Sequence, residues 1–343
     1  MGTNIAVVGC GNWGQNHVRN FAGLPGSTMI AAVDADETRR SRISEMFPGV
    51  RTERDYHQLL KDPGVDAVVI ATPTDTHYQL VRDALSAGKH VLCEKPLCET
   101  TEQAQELDEL ARSRKLILMI GHVFLFNPGI VKVKELLDSN ELGSLHYLSS
   151  VRTNLGPIRN DVNAAYDLAT HDIAIFNWLL GTEPEFVSAT GASILQPDIE
   201  DVVFASLVYP GNVIANIRCS WLDPKKVRQI TVVGSQKMVT WDDLDTNTPV
   251  AIYEKGANAN PDYNDYGEFL RISMWDGEVR LPKVHAEEPL KVQARYFLES
   301  LQKGSLERSD SAFALGVVRV LEAITESLKA SGKPSMVAKE TTR

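Results

Sequence analysis

The chain has few cysteines, no long apolar run and no surplus of basic residues. Its four cysteines (Cys10, Cys93, Cys98 and Cys219) are irregularly spaced and include no Cys-x-x-Cys pair. This usage is typical of a reduced, cytoplasmic protein and excludes a secreted disulfide scaffold. No histidine or cysteine pair has the spacing of a zinc site, so we predict no metal centre.

Other absences exclude further classes of protein. No apolar stretch approaches the ~20 residues that a membrane span needs, and the N-terminus lacks the basic region of a secretory signal. The formal net charge of −10 and the lack of a basic cluster argue against nucleic acid as a partner. We therefore expect a cytoplasmic protein that acts on a small molecule.

The first third of the chain alternates apolar runs with helix-like segments. The strand candidates are 4–9, 28–34, 66–71, 89–93 and 116–120. The helix-like segments between them are 14–22, 36–46, 55–61, 76–87 and 101–114. This alternation predicts an α/β Rossmann domain with a doubly wound parallel sheet over residues 1–121.

The pattern changes after Gly121. Helix-like segments occur near 128–138, 166–180, 289–302 and 310–330. The strand-like runs, which are joined by short turns, are 145–153, 185–195, 202–209, 212–219, 228–234 and 237–241. Residues 243–286 show no assignable pattern. We predict that residues 122–343 form an α+β domain with a mainly antiparallel sheet.

A glycine-rich turn, Gly9-Cys10-Gly11-Asn12-Trp13-Gly14, follows the first apolar run, and the second run ends in Asp34. In this pattern the glycines permit a tight turn, the approach of a pyrophosphate and close packing of the helix on the strand. Asp34 is placed to accept hydrogen bonds from a ribose 2′-hydroxyl, which favours NAD, while Arg39 and Arg40 leave NADP open. The alternative is a glycine turn in another α/β protein, such as a methyltransferase or an FAD enzyme.

Lys95 follows the strand candidate 89–93, at the sheet edge where open α/β sheets bind their ligands. Partial desolvation there would lower the pKa of the lysine and suit it to proton transfer with a hydroxyl or carbonyl group. The alternative is an ordinary surface lysine. Thr72, Pro73 and His77 follow another strand candidate and are placed to line the cofactor, although helix capping also explains them.

Asp167 and His171 are four residues apart in a helix-like segment, so both are expected on one helix face. The carboxylate can orient the imidazole and stabilise its charged form, which suits a proton-transfer pair. The alternative is a pair that only stabilises a helix end. Arg152, Asn154 and Arg159 are placed to grip an anionic group of a substrate, unless they are solvated loop residues.

Together these motifs resemble the glucose–fructose oxidoreductase/inositol dehydrogenase family (Gfo/Idh/MocA) over nearly the whole chain. The resemblance rests on the glycine-rich turn, Ala71-Thr72-Pro73, Ala87-Gly88-Lys89-His90-Val91, Glu94-Lys95-Pro96, Gly121-His122 and Asp167-x-x-x-His171. It implies an N-terminal Rossmann domain and a C-terminal domain with a large open sheet, which binds substrate and forms oligomer contacts. It also implies a cis Lys95–Pro96 bond.

The resemblance implies that Lys95 and His171 are catalytic, with support from Asp167; which of the two is the base stays open. The expected cofactor-binding residues are Gly9, Gly11, Asn12, Trp13, Gly14, Asp34, Thr72, Pro73, His77, Glu94 and Lys95. The expected substrate-binding residues are Lys95, Arg152, Asn154, Arg159, Asp167 and His171.

A closer resemblance is to a subgroup associated with bacterial surface-polysaccharide and sugar-nucleotide pathways. It rests on Gly121-His122-Val123-Phe124-Leu125-Phe126-Asn127-Pro128, Asn154-Leu155-Gly156, Asp161-Val162-Asn163 and Tyr166-Asp167-Leu168. Relatives commonly have tryptophan and proline where this chain has Tyr166 and Thr170. The resemblance implies an NAD-dependent dehydrogenase for a ring hydroxyl of a nucleotide-linked sugar, working as a homodimer or homotetramer.

Two other functions stay open at this point. One is an inositol or free-sugar dehydrogenase. The other is a dinucleotide-binding sensor or regulatory protein without catalysis. Loss of Lys95 or His171 would indicate the sensor, and both residues are present.

Overall fold

The computed structural model describes residues 2–259 and 272–337. The chain divides into two compact units. The first unit consists of Met1–Phe126 and Glu287–Glu322, and the second of Asn127–Ala286 and Ala323–Arg343. Within the described ranges, every helix is too short or too polar to cross a bilayer.

Strands and helices alternate over the first 126 residues. The strands are β1 (Thr3–Val8), β2 (Ser27–Val33), β3 (Arg51–Glu53), β4 (Ala67–Ile70), β5 (His90–Cys93) and β6 (Leu118–Ile120). The helices are α1 (Asn12–Gly23), α2 (Glu37–Met46), α3 (Tyr56–Leu60), α4 (Thr74–Ser86) and α5 (Thr101–Arg114), followed by a 3₁₀ turn at Val123–Phe126.

The strands of the first unit form a parallel sheet in the order β3-β2-β1-β4-β5-β6. This order confirms the predicted doubly wound Rossmann sheet. Strand β3 was not among the predicted strands, because its three residues (Arg-Thr-Glu) contain no apolar run. The strand order reverses between β1 and β4, so the carboxyl ends of these strands form the crevice where such sheets bind ligands.

The later elements combine helices with longer strands. The helices are α6 (Pro128–Asp138), α7 (Thr170–Leu180), α8 (Pro289–Lys303) and α9 (Ser311–Lys329), and a π-helical turn at Ala165–Ala169 precedes α7. The strands are β7 (Leu145–Leu155), β8 (Phe186–Ala192), β9 (Val202–Tyr209), β10 (Val213–Ser220), β11 (Leu222–Gly234), β12 (Met238–Asp242), β13 (Val250–Ala259), β14 (Ile272–Arg280) and β15 (Ser335–Met336).

The sheet of the second unit has the strand order β14-β13-β12-β11-β7-β10-β9-β8-β15. Among the described strands of this sheet, only β7 and β10 pair in parallel, so the prediction of a mainly antiparallel sheet is confirmed. The unassigned residues 243–286 contribute β13 and β14. On one face of this sheet Tyr147 and Ile214 are paired in register and about half exposed, at 47% and 46%, so part of this face is uncovered.

Helix α8 and the first part of α9 belong to the first unit. The rings of Phe297 in α8 and Phe21 in α1 form an edge-to-face pair with centroids 6.4 Å apart. The Ser309 hydroxyl also donates to the Ile120 carbonyl at 2.7 Å. This division differs from the predicted contiguous domains 1–121 and 122–343. An amphipathic helix shows its apolar face in the sequence, but not which core that face covers.

Candidate functional site

The glycine-rich turn joins β1 to α1 and can be built only with glycine at two positions. Gly9 has a φ of +90°, and a Cβ atom there would lie 2.7 Å from the Ala71 carbonyl oxygen. A Cβ atom on Gly14 would lie 1.7 Å from the Gly9 carbonyl oxygen. In contrast, a Cβ atom on Gly11 would meet no atom within 4 Å. Gly11 therefore borders the open space that a ligand's phosphates require.

The N-terminus of α1 faces this space with its first backbone amides. Gly11 is the N-cap residue and has no side chain that could accept their hydrogens. Asn12, Trp13 and Gly14 supply those amides, and the helix dipole adds a partial positive charge. Such an end binds phosphate well. The indole of Trp13 is 47% exposed beside it.

Asp34 closes the other end of the turn. Its Oδ2 accepts from the Cys10 N–H at 2.7 Å, and its Oδ1 accepts from the Asp36 N–H at 2.8 Å. These two bonds fix the carboxylate at the carboxyl end of β2, where a ribose 2′-hydroxyl is expected. Burial, with help from Asp34, raises the pKa of the Cys10 thiol to about 12, so this cysteine stays a protonated, inert residue.

A cavity of about 270 Å³ lies next to Asp34 and is lined by the glycine-rich turn and by Thr38, Arg39 and Arg42 of α2. The Arg39 guanidinium is 3.7 Å from Asp34 Oδ2 and remains about half exposed. Arg40 instead donates to the Asp34 and Ala35 carbonyls at 2.7 and 2.9 Å. Both arginines were candidates for binding the 2′-phosphate of NADP. Of the two, Arg39 lines the cavity, whereas Arg40 is hydrogen-bonded to backbone carbonyls.

His77 connects the loops that follow β4 and β5. Its Nε2 is 2.9 Å from the Thr72 carbonyl and its Nδ1 is 2.8 Å from the Pro96 carbonyl. The ring is buried, and burial lowers the pKa of His77. Thr72 is half-buried and Pro73 is exposed at the start of α4. The geometry thus gives His77 a supporting place behind Thr72 and Pro73 rather than a surface for the cofactor.

Glu94 and Lys95 follow β5 at the same edge of the sheet. Lys95 is half-buried, and the bond between Lys95 and Pro96 is cis, as the resemblance implied. Glu94 Oε1 lies 2.8 Å from Nε2 of the buried His17, and Glu94 Oε2 accepts from the Lys95 N–H at 3.3 Å. Glu94 therefore anchors the backbone of Lys95 to α1.

His122 is a buried residue near Lys95 to which the sequence analysis gave no role. Burial, with a smaller contribution from the Lys95 charge, lowers its pKa to about 3. Neither ring nitrogen has a hydrogen-bond partner among the described residues. The ring packs edge-on against Phe313, with centroids 5.7 Å apart. His122 is therefore a neutral imidazole at the end of β6.

In the second unit, Asp167 lies in the π-helical turn and His171 in the first turn of α7, both partly exposed. Asp167 Oδ2 accepts from the indole N–H of the buried Trp221 at 3.1 Å. Asp167 Oδ1 lies 3.4 Å from Nη1 of Arg159. Trp221 was missed because it is 54 residues away in the sequence. The continuous helix predicted over 166–180 is α-helical only from Thr170 onward.

Arg159 bridges Asp167 to Asp161. Its Nε donates to Asp161 Oδ1 at 2.8 Å, and this hydrogen bond raises the pKa of the guanidinium further. Arg159 and the nearby Asn154 remain partly exposed, so both stay candidates for binding a substrate.

Arg152 does not have the predicted place. The Arg152 Nε donates to Asp172 Oδ2, and its Nη2 donates to Asp172 Oδ1, both at 2.9 Å. Arg152 is only 2% exposed, so its guanidinium is enclosed with the carboxylate rather than presented to a ligand. The prediction that Arg152 binds substrate is corrected for this reason. Among the described residues, no group of three or more His, Cys, Asp or Glu side chains could hold a metal ion.

Two protein-family models match this chain. A model described as an oxidoreductase family with an NAD-binding Rossmann fold matches residues 3–122, and the GFO/IDH/MocA C-terminal domain matches residues 130–240. Inositol 2-dehydrogenase 2 of Saccharopolyspora erythraea is 34% identical over 226 residues, 63% of this chain and 66% of that protein. The alignment thus spans just under two thirds of that relative's length.

UDP-N-acetylglucosamine 3-dehydrogenase of Acidithiobacillus ferrooxidans is 30% identical over 263 residues, 74% of this chain and 78% of that protein. Its structure has a TM-score of 0.79 and is 25% identical, over 96% of this chain and 99% of that one. The structure of GenD2 from gentamicin A biosynthesis, in complex with NAD, has a TM-score of 0.82 and is also 25% identical, over 98% of this chain and 97% of that one.

Proposed function

The chain belongs to the Gfo/Idh/MocA family of NAD-binding oxidoreductases, and we propose that it is a dehydrogenase for a ring hydroxyl of a nucleotide-linked sugar. The observation that carries this proposal is the arrangement at the start of α1. There, open space beside Gly11, uncapped amides and a fixed Asp34 carboxylate match a dinucleotide's phosphates and ribose. The similarity to a UDP-N-acetylglucosamine dehydrogenase supports the nucleotide-linked substrate.

We propose NAD as the cofactor. The Asp34 carboxylate would repel a 2′-phosphate and can accept from a 2′-hydroxyl. Arg39 lies beside the Asp34 carboxylate and partly offsets its charge. Activity with NADP as high as with NAD would contradict this preference. The residues present fit the cofactor: Gly11, Asn12 and Trp13 would hold the phosphates, and Asp34 the ribose.

When bound, NAD supplies a nicotinamide ring that takes up the hydride from the substrate's carbinol carbon. Of the protein's groups, Lys95 and His171 are the two candidates for removing the hydroxyl proton. Loss of hydride and proton converts the alcohol to a ketone, and the reverse reaction runs through the same groups. Asp167 accepts hydrogen bonds from Trp221 and Arg159 and supports His171 from the preceding turn.

An inositol or free-sugar dehydrogenase is the second candidate, because the Saccharopolyspora inositol dehydrogenase is similar to this chain at 34% identity. The two candidates differ in the need for a nucleotide group. Arg159, which is already partly exposed, offers a cation for a substrate diphosphate.

The full-length protein should be assayed for reduction of NAD and of NADP with UDP-N-acetylglucosamine, free N-acetylglucosamine, myo-inositol and scyllo-inositol. Formation of the reduced nicotinamide is followed by its absorbance. We expect the highest kcat/KM for the nucleotide sugar with NAD. Equal or higher kcat/KM for the uncharged polyols would replace it with the second candidate, and no turnover with any sugar would refute it.

A further inference from the structure

The turn that carries Asp167 has a hydrogen-bond pattern that differs from the helix after it. In an α-helix, the Thr170 N–H would donate to the Tyr166 carbonyl, four residues earlier. In this structure it donates to the Ala165 carbonyl, five residues earlier, as in a π-helix. The Tyr166 carbonyl therefore loses the amide donor that an α-helix would give it.

The side chain of the same residue replaces that donor. The Thr170 hydroxyl donates to the Tyr166 carbonyl at 2.6 Å. Thr170 itself is fully buried. Threonine and serine are the residues that can bond a carbonyl of the preceding turn in this way. The hydroxyl thus takes the place of the Thr170 N–H at the Tyr166 carbonyl in the π-helical turn.

The π-helical turn affects the angle about the helix axis between Asp167 and His171. A π-helical hydrogen bond encloses one more residue than an α-helical one. The turn therefore rotates the residues before it about the helix axis relative to those after it. Asp167 lies inside the turn and His171 lies after it. In this conformation the Asp167 carboxylate accepts from the buried Trp221 indole at 3.1 Å.

We propose that Thr170 is a positioning residue for the reaction: its hydroxyl holds the π-helical turn that fixes the Asp167 carboxylate in its bond with Trp221 and sets its position relative to His171. This inference rests on the roles given to Asp167 and His171 under the proposed function. It assigns no substrate contact to Thr170, which is buried. It predicts an effect on turnover rather than on the binding of either ligand.

The test compares Thr170→Val, which keeps the shape and removes the hydroxyl, with Thr170→Ser, which keeps the hydroxyl. Both are made in the full-length protein and assayed with the best substrate of the sugar panel. A misplacement of about 1 Å at a catalytic group costs roughly 10²-fold in rate. We therefore expect Thr170→Val to lower kcat by about that factor with an unchanged KM, and Thr170→Ser to keep wild-type kcat. Wild-type kcat in the valine variant, or equal losses in both variants, would overturn the inference.

A crystal structure of Thr170→Val separates this inference from the proposed function. If the wild-type protein turns over none of the sugars, the proposed function fails, and the structure alone decides the role of Thr170. Conversion of 165–169 to an α-helical turn, with loss of the Asp167–Trp221 bond, supports the inference. Retention of both contradicts it. If the valine variant does not fold, Thr170→Ala takes its place in the same comparison.

Discussion

Arg152 and Asp172 form a bidentate ion pair, in which both N···O distances are 2.9 Å and both side chains are at most 3% exposed. The pair joins β7 to α7 one residue after His171. Because neither charge reaches water, each is stabilised chiefly by the other. The arginine that the sequence offers as an anion-binding group is thus part of the support for the helix that carries His171.

Replacing Arg152 should therefore damage stability first. Arg152→Ala leaves the Asp172 carboxylate buried without its partner, so we expect a loss of about 3–5 kcal/mol in the free energy of unfolding. The double variant Arg152→Met/Asp172→Leu should recover most of that loss, because an apolar pair needs no compensation. Urea unfolding measures both. A stable Arg152→Ala protein with a raised KM for the sugar would instead restore Arg152 as a substrate ligand.

Two of the three glycines of the turn, Gly11 and Gly14, predict opposite outcomes for the same substitution. Gly11→Ala should change the free energy of unfolding by no more than about 1 kcal/mol, because a Cβ atom there meets nothing within 4 Å. It should raise the Kd for NAD more than about tenfold, or about 1.4 kcal/mol, because the methyl group occupies the phosphate space. Gly14→Ala should lose about 3 kcal/mol of stability, because its Cβ atom would collide with the Gly9 carbonyl. Unaltered NAD binding by Gly11→Ala, measured by calorimetry, would contradict the proposed site.

Lys95→Met should remove the ammonium group and keep the length of the side chain. We expect kcat to fall by about 10²- to 10⁴-fold, the usual contribution of a general acid or base, while the Kd for NAD changes little. Lys61→Met, which removes an exposed lysine of the same unit, is the matched control and should keep full turnover. Near-normal turnover in Lys95→Met would eliminate the proton-transfer role of Lys95.

His122 predicts a pH-dependent stability. The pKa of a histidine in the unfolded chain is about 6.5, whereas His122 in the folded chain has a pKa of about 3. At pH values between these two pKa values, His122 is protonated in the unfolded state and neutral in the folded state. The free energy of unfolding therefore falls as the pH drops below about 6.5. The loss approaches about 1.4 kcal/mol for each pH unit.

Urea unfolding at a series of pH values from neutral to mildly acidic tests this dependence. In His122→Gln that component of the slope should vanish, so the variant loses less stability on acidification than the wild type. His146→Gln, which removes an exposed imidazole, should keep the wild-type slope. Identical slopes in the wild type and His122→Gln would show that His122 is not the titrating group.

We predict that the protein forms a homo-oligomer through the uncovered face of the sheet in the second unit. Tyr147 and Ile214 are apolar neighbours on that face, and Phe204 lies farther along the next strand, opposite Arg218, at 47% exposure. We expect Ile214→Glu to shift the protein to monomers in sedimentation velocity, while Leu195→Glu, on an exposed loop, leaves the assembly intact. A monomeric wild type, or an unchanged assembly in Ile214→Glu, would contradict the prediction. The cytoplasmic location also stays a prediction.

The features that the sequence predicts well are those set by neighbours in the chain. The glycine-rich turn is specified by its own residues, because Gly9 needs a positive φ and Gly14 needs the absence of a Cβ atom. The buried parallel strands show as short apolar runs, since helices cover both sheet faces. The helix over Pro128–Asp138 begins and ends at the predicted residues, where Asn127 caps its N-terminus.

The features that escaped prediction depend on contacts between distant segments. Whether the Arg152 guanidinium meets water or Asp172 depends on the packing of α7 against β7, which no local pattern encodes. The bond from Trp221 to Asp167 spans 54 residues. The π-helical turn differs from an α-helix by one shifted hydrogen bond, so the apolar periodicity of 166–180 looks continuous across it.

The return of the chain to its first unit bears on how that unit is made. On the ribosome the parallel sheet is complete once β6 has emerged, but Phe297 and the rest of α8 follow only about 170 residues later. Until then Phe21 lacks the Phe297 ring that packs against it in the folded chain. The first unit is therefore completed only after most of the second unit has been synthesised, although its sheet is synthesised first.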